Sequence, residues 1–482
     1  MARRQKQQLW RGPSDARGDG RVMLEEPARP RFIREHPKAG WLAVTTVCFG
    51  AFMGQLDASI VTLTFPALQD EFRAPLAAVQ WVSLAYLLTL VALVAAAGRI
   101  ADAAGRKLIY LYGFAVFTLA SAACALAPTL GWLVGFRATQ AVGAAMLQAN
   151  SVALVVTSVP RDKMRAALGV QAAAQAIGLA LGPALGGLLV GTVGWRWVFW
   201  VNVPVGVVAV VAGRYLLPRT RQRTSLGRFD WVGLLALATG TTALLLGLSA
   251  LSGLPLPDGV TTALVVLSAA AFYAFIVRER GAANPLVDLS VVRPREVSVG
   301  LLGATCAYLV LFGPLVLFPQ TLGPHGLSGL VLTALPAGFA LTAAFAERLM
   351  PQGWDTHTRG LLGASGCVLA TVALLLAPTD TTWVAAWLLV LGLSLGLFIP
   401  ANNSAIMGAI PSHASAVGGG LVNMARGLGT AFGVAVVTLG LHVAAPTARW
   451  ATGPRLALTL LLIFAAIAAS TAVLTRPQVR SS

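Results

Sequence analysis

The sequence predicts an all-α polytopic membrane protein, and three observations carry that expectation. Of the 482 residues, 57% are hydrophobic and only 11% are charged, against roughly 25% charged in an ordinary soluble domain. The apolar residues fall into long runs of the length, about 20 residues, that a helix needs to cross a bilayer core. Basic residues collect between alternate runs, as they do where loops stay in the cytoplasm. A soluble globular enzyme and a disordered chain are both excluded as starting points.

Fourteen runs are long enough to span, near 41–66, 77–97, 108–127, 131–157, 165–191, 198–217, 231–251, 260–277, 297–318, 327–346, 360–377, 382–403, 415–441 and 455–474. A polar tail of 40 residues, rich in Arg, Pro, Gly and Gln, precedes the first run. The tail is expected to be disordered, and the run behind it is not expected to be a cleavable signal peptide.

Charge sets the orientation. With the N-terminus in the cytoplasm, ten Lys/Arg fall in the tail, three around 99–107, three at 161–165, five at 214–228, four at 278–295, two at 348–359 and two after 475. These 29 cytoplasmic charges face four outside, Arg73, Arg196, Arg449 and Arg455, while Arg137 and Arg426 lie inside runs. A missed span would invert every later loop, so both termini are expected in the cytoplasm. The net charge of +17, which would suggest nucleic acid in a soluble protein, is assigned to these loops and to lipid headgroups instead. Four lysines against 31 arginines, with abundant alanine, suggest a high-GC bacterial genome and hence a bacterial cytoplasmic membrane. Cys48, Cys124, Cys306 and Cys367 sit singly in apolar runs, which implies neither a disulfide framework nor a metal site.

The chain also repeats. Ala167-Leu168-Gly169 recurs as Ala416-Val417-Gly418, and Ala176-Ile177-Gly178-Leu179 as Ala425-Arg426-Gly427-Leu428, both offset by 249 residues. The fifth and thirteenth spans therefore belong to two parallel halves. The expected domains are a cytoplasmic tail 1–40, a six-helix bundle 41–217, a linker with two inserted helices 218–296, a second six-helix bundle 297–475 and a short cytoplasmic tail 476–482.

Polar residues inside the apolar runs are the candidates for function. Asp57 is the only acid in the first run, with eight residues separating it from Pro66. At about 1.5 Å per residue it lies roughly 13 Å below the outer end of its helix, and Arg137 lies about 9 Å below the outer end of the fourth. The two can meet at similar depth. Burial raises a carboxyl's affinity for a proton and a nearby arginine lowers it, so a moving pair could load and release a proton. Asp57 could equally order the bundle by pairing with Arg137, or bind a cationic substrate directly. Glycines 178, 182 and 186 lie on one face of the fifth span, where a neighbouring helix can approach closely, and Pro183 should bend that helix.

Six segments give a family resemblance. Gly98-Arg99-Ile100-Ala101-Asp102-Ala103-Ala104-Gly105-Arg106-Lys107 follows the second span. Its glycines permit a tight turn and Asp102 can cap a helix start. The spacing G-x-x-x-D-x-x-G-R-K resembles the signature loop of the major facilitator superfamily, and the resemblance runs from about 41 to 475. Leu56-Asp57-Ala58-Ser59-Ile60-Val61, Arg137-Ala138-Thr139-Gln140-Ala141-Val142-Gly143 and Gly178-Leu179-Ala180-Leu181-Gly182-Pro183-Ala184-Leu185-Gly186-Gly187 are similar to patterns of its fourteen-span drug:proton antiporters. So are Trp195-Arg196-Trp197 through Gly206, Phe229-Asp230-Trp231 and Asn284-Pro285-Leu286. Thr62, Phe65 and Ala141 depart from the usual Asn, Leu and Gly. No second acid precedes Glu347 in the tenth span, which weighs against dicationic substrates.

The resemblance implies two six-helix bundles plus two inserted helices, and proton coupling at Asp57 and Arg137. It implies an inner-gate loop at Gly98, Asp102, Gly105, Arg106 and Lys107, and a leak-controlling helix at Gly178, Gly182, Pro183, Gly186 and Gly187. Gln140 and Arg426 are candidate substrate or bundle contacts. The expected function is proton-coupled export of an amphipathic small molecule, a drug, antibiotic or secondary metabolite, by alternating access in a monomer. The chain is not expected to be an enzyme. No cofactor is expected, and no Gly-rich phosphate loop ending in Lys-Ser/Thr is present, so the energy source is the proton gradient rather than ATP. A proton-coupled importer, a membrane-embedded enzyme and a sensor with a transporter fold are the alternatives. The enzyme would need catalytic groups clustered at one depth, and the sequence offers scattered ones.

Overall fold

A computed structural model describes residue 26 and residues 29–220, 230–257, 259–282, 289–322, 326–349, 355–376, 380–410, 415–443 and 453–474. The Asn284-Pro285-Leu286 segment, the 476–482 tail and most of the 1–40 tail lie outside the described residues. The spanning helices are α1 Ala39–Phe72, α2 Leu76–Ala104, α3 Arg106–Ala125, α4 Leu130–Ser158, α5 Met164–Thr192, α6 Arg196–Leu216 and α7 Trp231–Leu251. They continue with α8 Val260–Gly281, α9 Arg295–Thr321, α10 Gly326–Leu349, α11 Thr356–Leu376, α12 Thr381–Ala409, α13 Ser415–Val443 and α14 Gly453–Leu474. Thirteen are long and apolar enough to cross a membrane, and the fourteenth, α10, contributes the shorter apolar stretch Gly329–Ala343. No strand occurs among the described residues. In lipid a helix satisfies its own backbone, which is why apolar runs of this length become helices.

Several boundaries differ from the sequence expectation, for local reasons. The first span continues past Pro66 to Phe72. Pro66 lacks an N–H and crowds the preceding turn, and the chain absorbs it with a 3-10 turn at Val61–Thr64 before Phe65–Phe72 resumes. The Thr62 and Thr64 hydroxyls donate to the Ser59 and Val61 carbonyls at 3.0 and 2.7 Å, using acceptors on the turn. α5 stays helical through Pro183 from Met164 to Thr192. Part of the expected disordered tail is ordered: Arg31–Arg34 form a helical turn. Glu26 accepts from the Thr220 backbone N–H at 2.7 Å, and Arg29 Nε donates to the Leu216 carbonyl at 2.7 Å. The tail thus seats on the last turn of α6, whose carbonyls lack partners within the helix.

Packing repeats across the chain. α1 packs on α5, α2 on α4 and α3 on α4, and in the same way α9 packs on α13, α10 on α12 and α11 on α12. The two bundles meet along α5 against α10 and α2 against α13. The inserted helices α7 and α8 pack mainly on each other, and α7 also touches α2 and α13. Ser249 of α7 accepts hydrogen bonds from Gln80 Nε2 at 2.9 Å and Trp81 Nε1 at 3.1 Å. An even number of spans puts both termini on one side, called here the terminal side.

Candidate functional site

Asp57 lies mid-way along α1, fully buried, and the helices around it converge on its carboxylate. Arg137 of α4 donates from Nη1 to Asp57 Oδ2 at 2.6 Å. Gln140, one turn further along α4, donates from Nε2 to Oδ1 at 3.0 Å, and Asn202 of α6 donates to the same oxygen at 3.3 Å. Gln140 also donates to Ser121 Oγ of α3 at 2.8 Å and accepts from Arg137 Nη1. Arg137 is itself oriented by Nε donating to the Val82 carbonyl of α2 at 2.9 Å. The Tyr86 ring lies 4.2 Å from its guanidinium carbon and Phe199 5.7 Å, close enough for cation–π attraction. Five of the six helices of the first bundle therefore supply one group each or more. The sequence-predicted pair is brought together, and Gln140 is a bundle contact rather than a cavity-wall residue: it is fully buried in this network.

Beside this network lies the large central cavity, about 400 Å³, with walls from both bundles. Its apolar walls include Tyr86, Leu90, Val91, Phe117, Phe312 and Phe339. Amide side chains Gln55, Gln148, Gln171, Gln175, Asn403 and Asn423 also face it, together with Arg426. A volume of this size, mostly apolar with a few convergent polar groups, suits a drug-sized organic molecule. Gln148 Nε2 of α4 donates to Asn423 Oδ1 of α13 at 3.2 Å, a hydrogen bond between the bundles. A crevice of about 10 Å³ shares Ala58, Tyr86, Leu87, Phe312 and Thr430 with the cavity and reaches Arg137, Thr62 and Ser83. That is room for about one water molecule. Ser83 Oγ in its wall is buried and has no hydrogen-bond partner among the described residues. Tyr86 thus forms the wall between the cavity and the Asp57–Arg137 pair.

The cavity occupies the terminal-side half of the molecule. Its lining residues 91–94, 148–152, 171–179 and 423–427 all come from the terminal-side portions of α2, α4, α5 and α13. The far side is closed by contacts between bundles. Val61–Thr64 and Phe65–Phe72 touch α9, and Gly329 of α10 sits so close to α5 that an added Cβ would lie 2.7 Å from the Pro183 carbonyl oxygen and 2.8 Å from Gly187 Cα. The α5 glycines divide between two faces. Gly178, Gly182 and Gly186 take the backbone and side chains of α1 (Phe52, Ser59 and Ile60), and Gly187 with Pro183 takes α10. A Cβ on Gly186 would lie 2.9 Å from Ile60 Cγ1. Glycine is what permits both approaches.

The 98–107 segment is a helix–glycine–helix junction. α2 ends at Ala104, Gly105 turns at φ 119°, and α3 starts at Arg106. Asp102 does not cap a helix start, as its spacing had suggested. It lies in the last turn of α2, because only Gly105 tolerates the positive φ, and it accepts from Arg106 Nε at 2.8 Å. Lys107 Nζ donates to the Arg214 and Leu217 carbonyls at 2.9 and 2.8 Å, a cation at the C-terminus of α6 where the helix dipole favours it. Arg106 N–H donates to Thr220 Oγ1 at 2.8 Å. An added Cβ on Gly98 would stand 3.8 Å from Ala149, an ordinary contact.

Sequence reasoning missed Tyr86, Ser121, Asn202, Tyr308, Asn403 and Gly329. Asn202 sat in a segment noted only for resemblance. Tyr86 and Tyr308 gave no signal in apolar runs where aromatics usually pack. Gly329 could have been found by asking what α5 needs opposite Gly187.

A bundle pair enclosing a cavity, with a buried acid–base network at its wall, defines a membrane transporter of small molecules. The chain belongs to the major facilitator superfamily, whose sequence model matches residues 47–434. It is 31% identical over 411 residues to the riboflavin transporter RibZ of Clostridioides difficile, covering 82% of this chain and 88% of that protein. It is 30% identical to the tetracenomycin C resistance and export protein of Streptomyces glaucescens, over 86% of this chain and 79% of that one. It is 29% identical to the methylenomycin A resistance protein of Bacillus subtilis, over 87% and 91%. Among solved structures, an auto-inhibited POT family peptide transporter superposes with a TM-score of 0.66 at 16% identity, over 91% of this chain and 96% of that one. At that identity the likeness speaks for the fold alone.

Proposed function

We propose that the protein is a proton-coupled exporter of an amphipathic organic molecule, working by alternating access in a bacterial cytoplasmic membrane with both termini in the cytoplasm. The observation that carries this reading is the Asp57–Arg137 pair, fully buried and 2.6 Å apart, beside a cavity whose wall residue Tyr86 stacks on Arg137. The Asp57 carboxylate accepts from Arg137, Gln140 and Asn202 together. Moving any of them away as the bundles rock favours taking up a proton, and restoring them expels it. No cofactor enters this cycle. An inside-negative potential supplies about 2.3 kcal/mol per charge per 100 mV, and about 1.4 kcal/mol sustains a tenfold substrate gradient, so one proton per cycle suffices for useful export. With the termini cytoplasmic, the cavity loads from the cytoplasm. The antibiotic-resistance relatives support export.

The riboflavin transporter among the relatives is not named as an exporter, and import of a small organic solute is the second reading. Everted vesicles separate the two. Energised with a respiratory substrate and given a panel of amphipathic dyes and antibiotics, they should accumulate an exported compound, and an uncoupler should release it. Loss of preloaded compound on energisation would support import instead.

A further inference from the structure

Among the described residues lining the central cavity, Arg426 is the only charged side chain, and no carboxylate faces the space. It sits twelve residues into the 29-residue α13. No acidic group among the described residues lies within ion-pair distance of it. Its neutral partner is the Tyr308 hydroxyl, which is also hydrogen-bonded to Asn403. Asn403 also carries a buried side-chain oxygen, Oδ1, with no hydrogen-bond partner among the described residues. The other intramembrane arginine has the opposite situation: Arg137 is neutralised by Asp57 at 2.6 Å. The acid–base network is therefore charge-balanced, while the cavity carries one uncompensated positive charge. Charge inside a membrane protein demands a partner, and among the described residues the walls offer Arg426 a neutral hydroxyl but no acid.

We infer that Arg426 recognises an acidic group on the transported molecule, and that the substrates are flat aromatic weak acids bearing a carboxylate, an acidic phenol or an enolised diketone. This rests on the cavity being the transport site. The planar guanidinium offers paired donors to such an oxygen pair, as charge-assisted hydrogen bonds. The Tyr308 hydroxyl and Asn403 stand beside it for a neighbouring hydroxyl or carbonyl. Tyr86, Phe117, Phe312 and Phe339 supply walls for a ring system. A permanent cation in the same cavity would face Arg426 with no acid to hold it. An inside-negative membrane potential drives an anion outward, so this substrate class moves in the direction proposed for the cycle.

The test uses the purified full-length protein and two dyes sharing one xanthene ring, anionic fluorescein and cationic rhodamine 6G, with binding read by fluorescence polarisation. Wild type should bind fluorescein at least about tenfold more tightly than rhodamine 6G, a difference one charged contact can supply. Arg426→Gln should weaken fluorescein by about tenfold or more and leave rhodamine 6G unchanged or tighter, whereas Arg426→Lys should keep most of the fluorescein affinity. A wild-type preference for rhodamine 6G, no fluorescein binding by wild type, or equal loss of both dyes in Arg426→Gln overturns the inference. The wild-type comparison decides it even if the variant fails to fold. Everted vesicles keep the two readings apart. Fluorescein bound through Arg426 but never accumulated on energisation would sink the export reading alone. Proton-driven accumulation of rhodamine 6G but not fluorescein would sink the substrate class alone.

Discussion

Removing the Asp57 charge would leave the Arg137 guanidinium buried with only Gln140 and the Val82 carbonyl as acceptors. Breaking a buried pair from one side typically costs about 3–5 kcal/mol of stability, softened here because Asn keeps one acceptor oxygen. Asp57→Asn is expected to fold with a lowered Tm and to lose accumulation in energised everted vesicles while keeping downhill exchange. Accumulation that persists and collapses on adding an uncoupler would move the coupling proton elsewhere. Asn202→Ala tests the same carboxylate from α6: it removes one 3.3 Å bond, worth about 1 kcal/mol. It should lower accumulation in energised everted vesicles while leaving the yield of folded protein near wild type, and unchanged accumulation would remove α6 from the coupling network. Asp57 and Arg137 were legible in the sequence because lone charges in apolar runs stand out and helical rise fixes their depth. Gln140's place was not, since a neutral amide in a span can face a cavity or a neighbour, and only the packing of α3 against α4 decides.

Helix α5 shows why glycine spacing is informative yet incomplete. The four-residue spacing of Gly178, Gly182 and Gly186 gave one small face, and in the fold that face takes α1. The inter-bundle contact lies on another face, through Pro183 and Gly187 against Gly329, and a spacing rule within one helix carries no information about its partner. The two faces predict different phenotypes. Gly182→Leu drives a side chain into Ser59, two residues from Asp57, so it should reduce both the amount of folded protein and transport, read by detergent-solubilised yield. Gly329→Leu should leave yield near wild type and abolish export, because overpacking of about 1–3 kcal/mol falls on a contact the transport cycle must break and remake. Wild-type export by Gly329→Leu would remove α10 from the far-side closure. The α2–α3 junction was legible in its glycine and not in its acid: Gly105 turns as expected, while Asp102 stays inside α2 because the helix runs on to the residue before the glycine.

At the scale of the molecule, the 249-residue repeat was visible in two short matches, and the fold extends it to the whole pattern of helix pairs, α1 with α5 as α9 with α13. The sequence could not reveal which side the cavity opens on, because that depends on which ends of the two bundles touch. The far ends do: Gly329 and Gly187 are pressed together, whereas added Cβ atoms on Gly169, Gly419 and Gly420 at the terminal-side ends would meet nothing within 4 Å. If the termini are cytoplasmic, as the 29-to-4 distribution of basic residues predicts, accessibility should follow a definite pattern. In a background with half-buried Cys48 replaced by serine, cysteines at Gly253 and Asp380 should react with a membrane-impermeant thiol reagent from outside intact cells, and one at Gly281 only from everted vesicles. A cysteine at Gln175, a cavity residue, should react from the cytoplasmic side in resting vesicles. Combined with Gly329→Leu, which disfavours far-side closure, the same Gln175 cysteine should become reactive from outside and less so from the cytoplasm. That exchange of access is what two bundles rocking about a central site require, since closing one end opens the other. Gln175 reactivity that stays cytoplasmic in the Gly329→Leu protein would mean that the α5–α10 contact does not hold the far side shut. Reaction of the Gly281 cysteine in intact cells would invert the topology itself.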